Sequence, residues 1–150
     1  MNAIVFINGS PNKDGNTVKL ARSILGDTSY DTVHLVDLKI YSYGQNFADD
    51  QYEEVIQTME NHTTIVIGSP VYWHSMTGAL RTVLDRAYGF VPNGHFKGKQ
   101  LIFIFQGAAP TKEQLAAADY TMGRFADIYG FVYKGMVTNK NEAAQMAASL

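Results

Sequence analysis

A chain of 150 residues with 46% hydrophobic and 17% charged side chains has the composition of a folded globular domain and can bury a sizeable core. A net charge of −2 without any basic run excludes the electrostatic footprint of a nucleic-acid binder. The absence of cysteine excludes disulfides, iron–sulfur clusters, thiolate zinc sites and cysteine nucleophiles, including that of the small cysteine-based phosphatases.

Residues 3–7 form a continuous apolar, β-branched run and predict a first strand. The run is too short for a signal-peptide core or a membrane span, so no membrane is implied and a cytoplasmic protein is expected. Residues 17–25 put Val18, Ala21, Ile24 and Leu25 on one helical face. Alternation through Val33, Leu35 and the Val36–Leu38 pair predicts a second strand over 32–38, and a polar stretch then leads to a short helix over 52–60. A third strand is predicted at 63–67. The helix over 77–88 follows, with Leu80, Val83, Leu84 and Ala87 on its inner face. After a loop at 89–99 come a fourth strand at 101–105 and a helix over 112–129 that Gly130 caps. Its inner face carries Leu115, Ala118, Met122, Phe125 and Tyr129. A fifth strand at 131–138 and a helix at 142–149 complete the series. Five βα units without repeat or linker predict a single α/β domain over residues 1–150, its parallel sheet covered on both faces and its apolar third and fourth strands central.

Ligands of an open, doubly wound sheet bind outside the carboxyl ends of the strands, where strand order reverses. The first such loop reads Asn8-Gly-Ser-Pro-Asn-Lys-Asp-Gly-Asn-Thr17. Its glycines permit a tight turn, and the helix start at Asn16-Thr17 supplies free N–H groups. With Ser10, Asn16 and Thr17 these suit an anionic phosphate without an arginine. Five residues separate Gly9 from Gly15 and Asn16 follows, so the spacing and the lysine of a Walker loop are both missing. There is no G-x-G-x-x-G either, which leaves a terminal monophosphate as the best match. A capped strand–helix loop without a ligand is the plain alternative.

The loop after the third strand, Gly68-Ser-Pro-Val-Tyr-Trp-His-Ser-Met-Thr-Gly78, places Val71, Tyr72 and Trp73 where a pocket belongs. Planar side chains and an accessible backbone suit a flavin ring; equally, such aromatics could pack under a neighbouring loop. After the fourth strand, Gln106-Gly-Ala-Ala-Pro110 offers an amide side chain and small residues that let a flat ligand approach, or it is an ordinary βα loop. His34, His62, His74 and His95 show no metal-ligand spacing, and His34 reads as structural. Neither Ser10 nor Ser69 lies in G-x-S-x-G, which argues against a serine hydrolase.

Gly9-Ser-Pro…Gly15-Asn-Thr17, Ser69-Pro-Val-Tyr-Trp-His-Ser-Met-Thr-Gly78, and Leu84-Asp-Arg86 with Phe96-Lys-Gly-Lys99 together resemble the NADPH-dependent FMN reductase family over essentially the whole chain. The resemblance implies a flavodoxin-like three-layer sandwich with strand order 2-1-3-4-5. It implies FMN as cofactor and NAD(P)H as transient co-substrate. Ser10, Asn12, Asn16 and Thr17 would hold the phosphate; Pro70, Val71, Tyr72, Trp73 and His74 would contact the ring, with Gln106 and Gly107 closing its other side. Asn12 stands where many relatives carry arginine or lysine, with Lys13 beside it. Hydride transfer to a flavin needs no acid–base residue, so no catalytic side chain is assigned. Quinones, azo or nitro compounds and free flavin are the expected acceptors, and an electron carrier of the flavodoxin type or a flavin-free binding module are the rivals. A homodimer is also implied, with Phe47, Phe90 and Phe96 available as interface or lid, or as cover for their own core.

Overall fold

The computed structural model describes residues 2–150 and contains a five-stranded, all-parallel sheet in the order β2-β1-β3-β4-β5. In chain order the elements are β1 (Ile4–Asn8), α1 (Asn16–Leu25), β2 (Asp31–His34), α2 (Tyr52–Glu60), β3 (Thr64–Pro70), α3 (Gly78–Ala87), β4 (Gln100–Gln106), α4 (Lys112–Tyr129), β5 (Val132–Val137) and α5 (Lys140–Ala148). This is the flavodoxin-like arrangement expected from the sequence.

Side-chain alternation along the strands divides the core in two. Val5, Ile7, Ile65, Ile67, Leu101, Phe103 and Phe105 face α2, α3 and α4. Phe6, Val66, Ile102, Ile104 and Val137 face α1 and α5. Because both faces are covered, the three central strands read as unbroken apolar runs rather than alternating ones.

Two strand boundaries depart from expectation, each for a physical reason. The second strand ends at His34, and Leu35–Asp37 forms a 3-10 turn. That turn still buries Leu35 while exposing Val36, so apolar spacing survives without extended backbone. The third strand runs on to Pro70, which pairs in register with Gln106. A proline is tolerated there because its missing N–H falls at the last rung.

Of the two readings offered for Phe96, the structure takes the second: it is buried and stacked on Phe131 at 4.9 Å, and so covers its own core. Phe47 and Phe90 remain about half exposed. Among the described residues, no helix is long and apolar enough to cross a membrane.

Candidate functional site

The carboxyl ends of β1, β3 and β4 lie side by side, and hydrogen bonds between residues distant in sequence tie their loops into one surface. Asn8, the last residue of β1, is wholly buried and organises the first loop. Its Oδ1 accepts from the Ser10 N–H at 3.0 Å. Its Nδ2 reaches the Asn12 carbonyl at 3.1 Å and His34 Nδ1 at 3.0 Å, so all of its polar atoms are used. That bond holds the His34 ring through Nδ1. Thr77 fixes the loop from the other side: its hydroxyl donates to the Gly9 carbonyl at 2.7 Å and accepts from the Leu80 N–H as the N-cap of α3. The Thr77 N–H in turn donates to Ser69 Oγ at 2.9 Å.

Residue 68 must be glycine. A Cβ there would lie 2.6 Å from Thr17 Cγ2 and 2.9 Å from the Phe6 ring, so its absence lets the start of α1 sit directly on β3.

The result is a cluster of unused donors. Gly15 caps α1 without a side-chain bond, and the N–H groups of Asn16, Thr17 and Val18 have no acceptor among the described residues. Buried Ser10 accepts from the Asn12 N–H at 3.1 Å. Buried Thr17 accepts from Gln106 Nε2 at 3.1 Å. Each hydroxyl is committed as an acceptor, which leaves its hydrogen free to donate outward. The structure thus gathers Ser10, Asn16 and Thr17, with the exposed Asn12 on the rim of the loop. The cations next to the loop are engaged elsewhere: Lys13 pairs with Asp37 at 2.7 Å and Arg22 with Asp14 at 2.9 Å.

Beyond Pro70 the chain turns sharply. Val71 N–H donates to the Gln106 carbonyl at 2.8 Å, and Tyr72 and Ser75 exchange backbone bonds of 2.9 and 3.1 Å. The two residues between them, Trp73 (φ 46°) and His74 (φ 68°), are both left-handed. This is the pattern of a type I′ turn, occupied here by residues that pay on the order of 1–3 kcal/mol each for it. Trp73 stands 94% exposed. His74 Nδ1 meets Gln114 Nε2 at 2.6 Å. A cavity of about 250 Å³ opens between Ser10, Pro11, Val36, Tyr72 and the start of α3.

Gln106 and Gly107 begin the loop after β4 and pack against the first and second loops. The Gln106 amide is turned onto Thr17 rather than left free, so it joins the first loop. At Gly107 the close approach is to Val71, whose Cβ would lie 2.9 Å from an added Cβ. Asn8, Thr77 and Gly68 are the site-building residues that sequence reasoning did not single out. For Asn8 the signal was present, since an amide ending an apolar strand must find partners.

Among the described residues, no group of three or more histidine, cysteine, aspartate or glutamate side chains is arranged to hold a metal ion. The family described as NADPH-dependent FMN reductase matches residues 2–142. An iron–sulfur flavoprotein of Archaeoglobus fulgidus is 28% identical over 150 aligned positions, covering 87% of this chain and 65% of that protein. Two other curated relatives are covered over 50% and 48% of their lengths, so the chain spans roughly half to two thirds of the curated relatives it matches. Among solved structures, the Trp repressor binding protein of Bacillus subtilis superposes with a TM-score of 0.76 at 20% identity, covering 95% of this chain and 98% of that one. The apo form of the NADH:FMN oxidoreductase EMOB superposes with a TM-score of 0.68 at 20% identity, covering 100% and 90% respectively.

Proposed function

The chain belongs to the NADPH-dependent FMN reductase family, and from that premise we propose that it is an FMN-dependent oxidoreductase that takes electrons from NAD(P)H and passes them to a small-molecule acceptor. The observation that carries the reading is the donor cluster at the start of α1: three backbone N–H groups and the hydroxyls of Ser10 and Thr17, all without acceptors. Such a set matches a monophosphate dianion, which a helix N-terminus favours by its dipole as well as by its hydrogen bonds.

Bound FMN supplies the hydride chemistry. The residues of this chain bind and orient. Ser10, Asn16 and Thr17 hold the phosphate, and Asn12 lines the loop as a neutral rim. Gln106 keeps Thr17 oriented through its NH₂ and closes the other side of the ring. Pro70, Val71, Tyr72, Trp73 and His74 border the ring, with Gly107 behind Val71. These 150 residues carry no cysteine to ligate an iron–sulfur cluster. Quinones, azo or nitro compounds and free flavin are the acceptor classes proposed.

A homodimer is part of the proposal. An apolar groove of about 420 Å³ runs between α3 and α4, lined by Leu84, Tyr88, Phe125 and Ile128, and Tyr88 is 74% exposed. Its one cation, Arg81, is paired with Asp85 at 3.0 Å, and exposed apolar surface of the kind that makes up the rest marks an interaction face. Light scattering coupled to size-exclusion chromatography tests it, a monomer at micromolar concentration being the contrary result.

The activity is tested by recording the visible spectrum of the purified protein after FMN addition and removal of excess, followed by NAD(P)H. Retained flavin bands that bleach with NAD(P)H and recover with a quinone are expected. Retained flavin that NAD(P)H does not bleach would instead assign an electron carrier, and no retained flavin a cofactor-free binding module.

A further inference from the structure

Gln114, in the first turn of α4, is held at both ends of its amide. Its Oε1 accepts from the Thr111 N–H at 3.0 Å, completing a capping box in which Thr111 Oγ1 accepts from the Gln114 N–H at 3.1 Å. A backbone N–H only donates, so this bond fixes which end of the amide is oxygen. The NH₂ end therefore faces His74 Nδ1, at 2.6 Å. An amide NH₂ also only donates, so Nδ1 must accept with its lone pair, and the neutral imidazole carries its hydrogen on Nε2. Nε2 has no hydrogen-bond partner among the described residues.

The same bond steadies an unfavourable backbone. His74 and Trp73 are both left-handed, a conformation that non-glycine residues keep only where the surroundings over-determine it. Here the turn is tied by the two backbone bonds between Tyr72 and Ser75 and, from outside, by Gln114. The capping box alone explains a glutamine or glutamate at position 114, but it does not explain why the amide's other end reaches a strained residue of another loop.

We infer that Gln114 is a positioning residue: it holds the turn after β3 and fixes His74 as the Nε2–H tautomer, so that the imidazole offers a single N–H donor to the flavin ring. This rests on the reading that residues 70–74 border that ring. A hydrogen-bond donor at the ring favours the more electron-rich reduced flavin, and so the pair tunes the cofactor as well as placing it.

The test uses protein labelled with 15N-histidine, with long-range 1H–15N spectra recorded before and after FMN addition. FMN affinity is read from fluorescence quenching, and the flavin midpoint potential is measured alongside. In the wild type, His74 is expected to show a protonated Nε2 and a bare Nδ1, with the Nε2 signal moving when FMN binds. His74→Gly identifies these signals by their loss. Glycine takes the left-handed φ without strain, so the turn and the melting temperature are kept. Gln114→Glu keeps the capping box but turns an acceptor-only oxygen toward Nδ1, which moves the hydrogen there. In both variants FMN should bind roughly three- to tenfold more weakly, the worth of one neutral hydrogen bond. The midpoint potential should fall in both.

A wild-type Nδ1–H tautomer overturns the inference. So does FMN binding that leaves the His74 signals unmoved, or unchanged affinity and potential in both variants. Failure of the wild type to quench FMN fluorescence is a separate result: it overturns the functional reading itself, and the inference with it, whatever tautomer His74 shows.

Discussion

Asn8 shows how much one buried amide contributes. Its three hydrogen bonds shape the loop that carries Ser10 and Asn12, and two of them need its NH₂. Asn8→Asp keeps the size but cannot donate to the Asn12 carbonyl, keeps His34 only if that imidazole shifts its hydrogen to Nδ1, and adds negative charge behind the phosphate. FMN affinity in a titration should therefore drop by at least tenfold, roughly the worth of 1.4 kcal/mol, with thermal stability also lowered. Unchanged affinity would show that the loop does not depend on Asn8. Gly68→Ala tests a different constraint. The 2.6 Å approach of its Cβ to Thr17 forces α1 away from β3, at a cost of about 1–3 kcal/mol in denaturant unfolding and with loss of FMN binding. A variant as stable as the parent would mean that α1 can shift freely.

At the scale of elements, local pattern was read well where a single period persists. The spacing of Leu80, Val83, Leu84 and Ala87, and the inner face of α4, emerge as predicted, with α4 spanning Lys112–Tyr129. Gly130 is its left-handed cap at φ 88°, and a Cβ there would come within 3.0 Å of Lys97 Cα. Gly130→Ala should thus lower stability by about 1–2 kcal/mol in urea unfolding through strain and crowding together. A neutral effect would contradict the close packing of the 94–98 segment on the end of α4. The second strand was read too long because Leu35 stays on the inward spacing after the chain has left extended geometry. The cross-loop bonds were not legible at all. Thr77 and Gly9 are 68 positions apart, and Gln106 and Thr17 are 89 apart. No local period connects such residues; only the strand order brings them together. The donor cluster was half legible, since Ser10 and Thr17 were predicted but the bonds that free their hydrogens were not.

For the whole molecule, two carboxylates, Asp50 and Asp31, fasten segments distant in sequence. Arg86 binds both oxygens of Asp50, at 2.6 and 3.0 Å, and also donates to the Tyr41 carbonyl, fastening the long segment between β2 and α2 onto α3. Its guanidinium lies 4.7 Å from the centre of the Tyr52 ring. The Arg86 hydrogen bonds hold the Asp50 carboxyl below its ordinary value of 3.8. Asp31 is lowered likewise, first by its bond from His62 and then by Asn2. A carboxyl with a lowered native pKa stabilises the fold above its unfolded value and ceases to do so as pH falls through the native one. Stability should accordingly hold above pH 3.8 and decline below it, and Asp50→Asn should flatten that decline in acid melts. An acid limb as steep in Asp50→Asn as in the parent would rule out this pair as its source.

The central claim, that the start of α1 holds the phosphate of FMN, is tested most directly by comparing FMN with riboflavin in fluorescence titrations of the same protein. The two ligands share the ring and the ribityl chain and differ only in the phosphate. The donor cluster predicts FMN binding at least about a hundredfold tighter than riboflavin, as several charge-assisted bonds to a dianion require. Equal affinity would contradict it, and would move the flavin, if bound at all, away from Ser10 and Thr17.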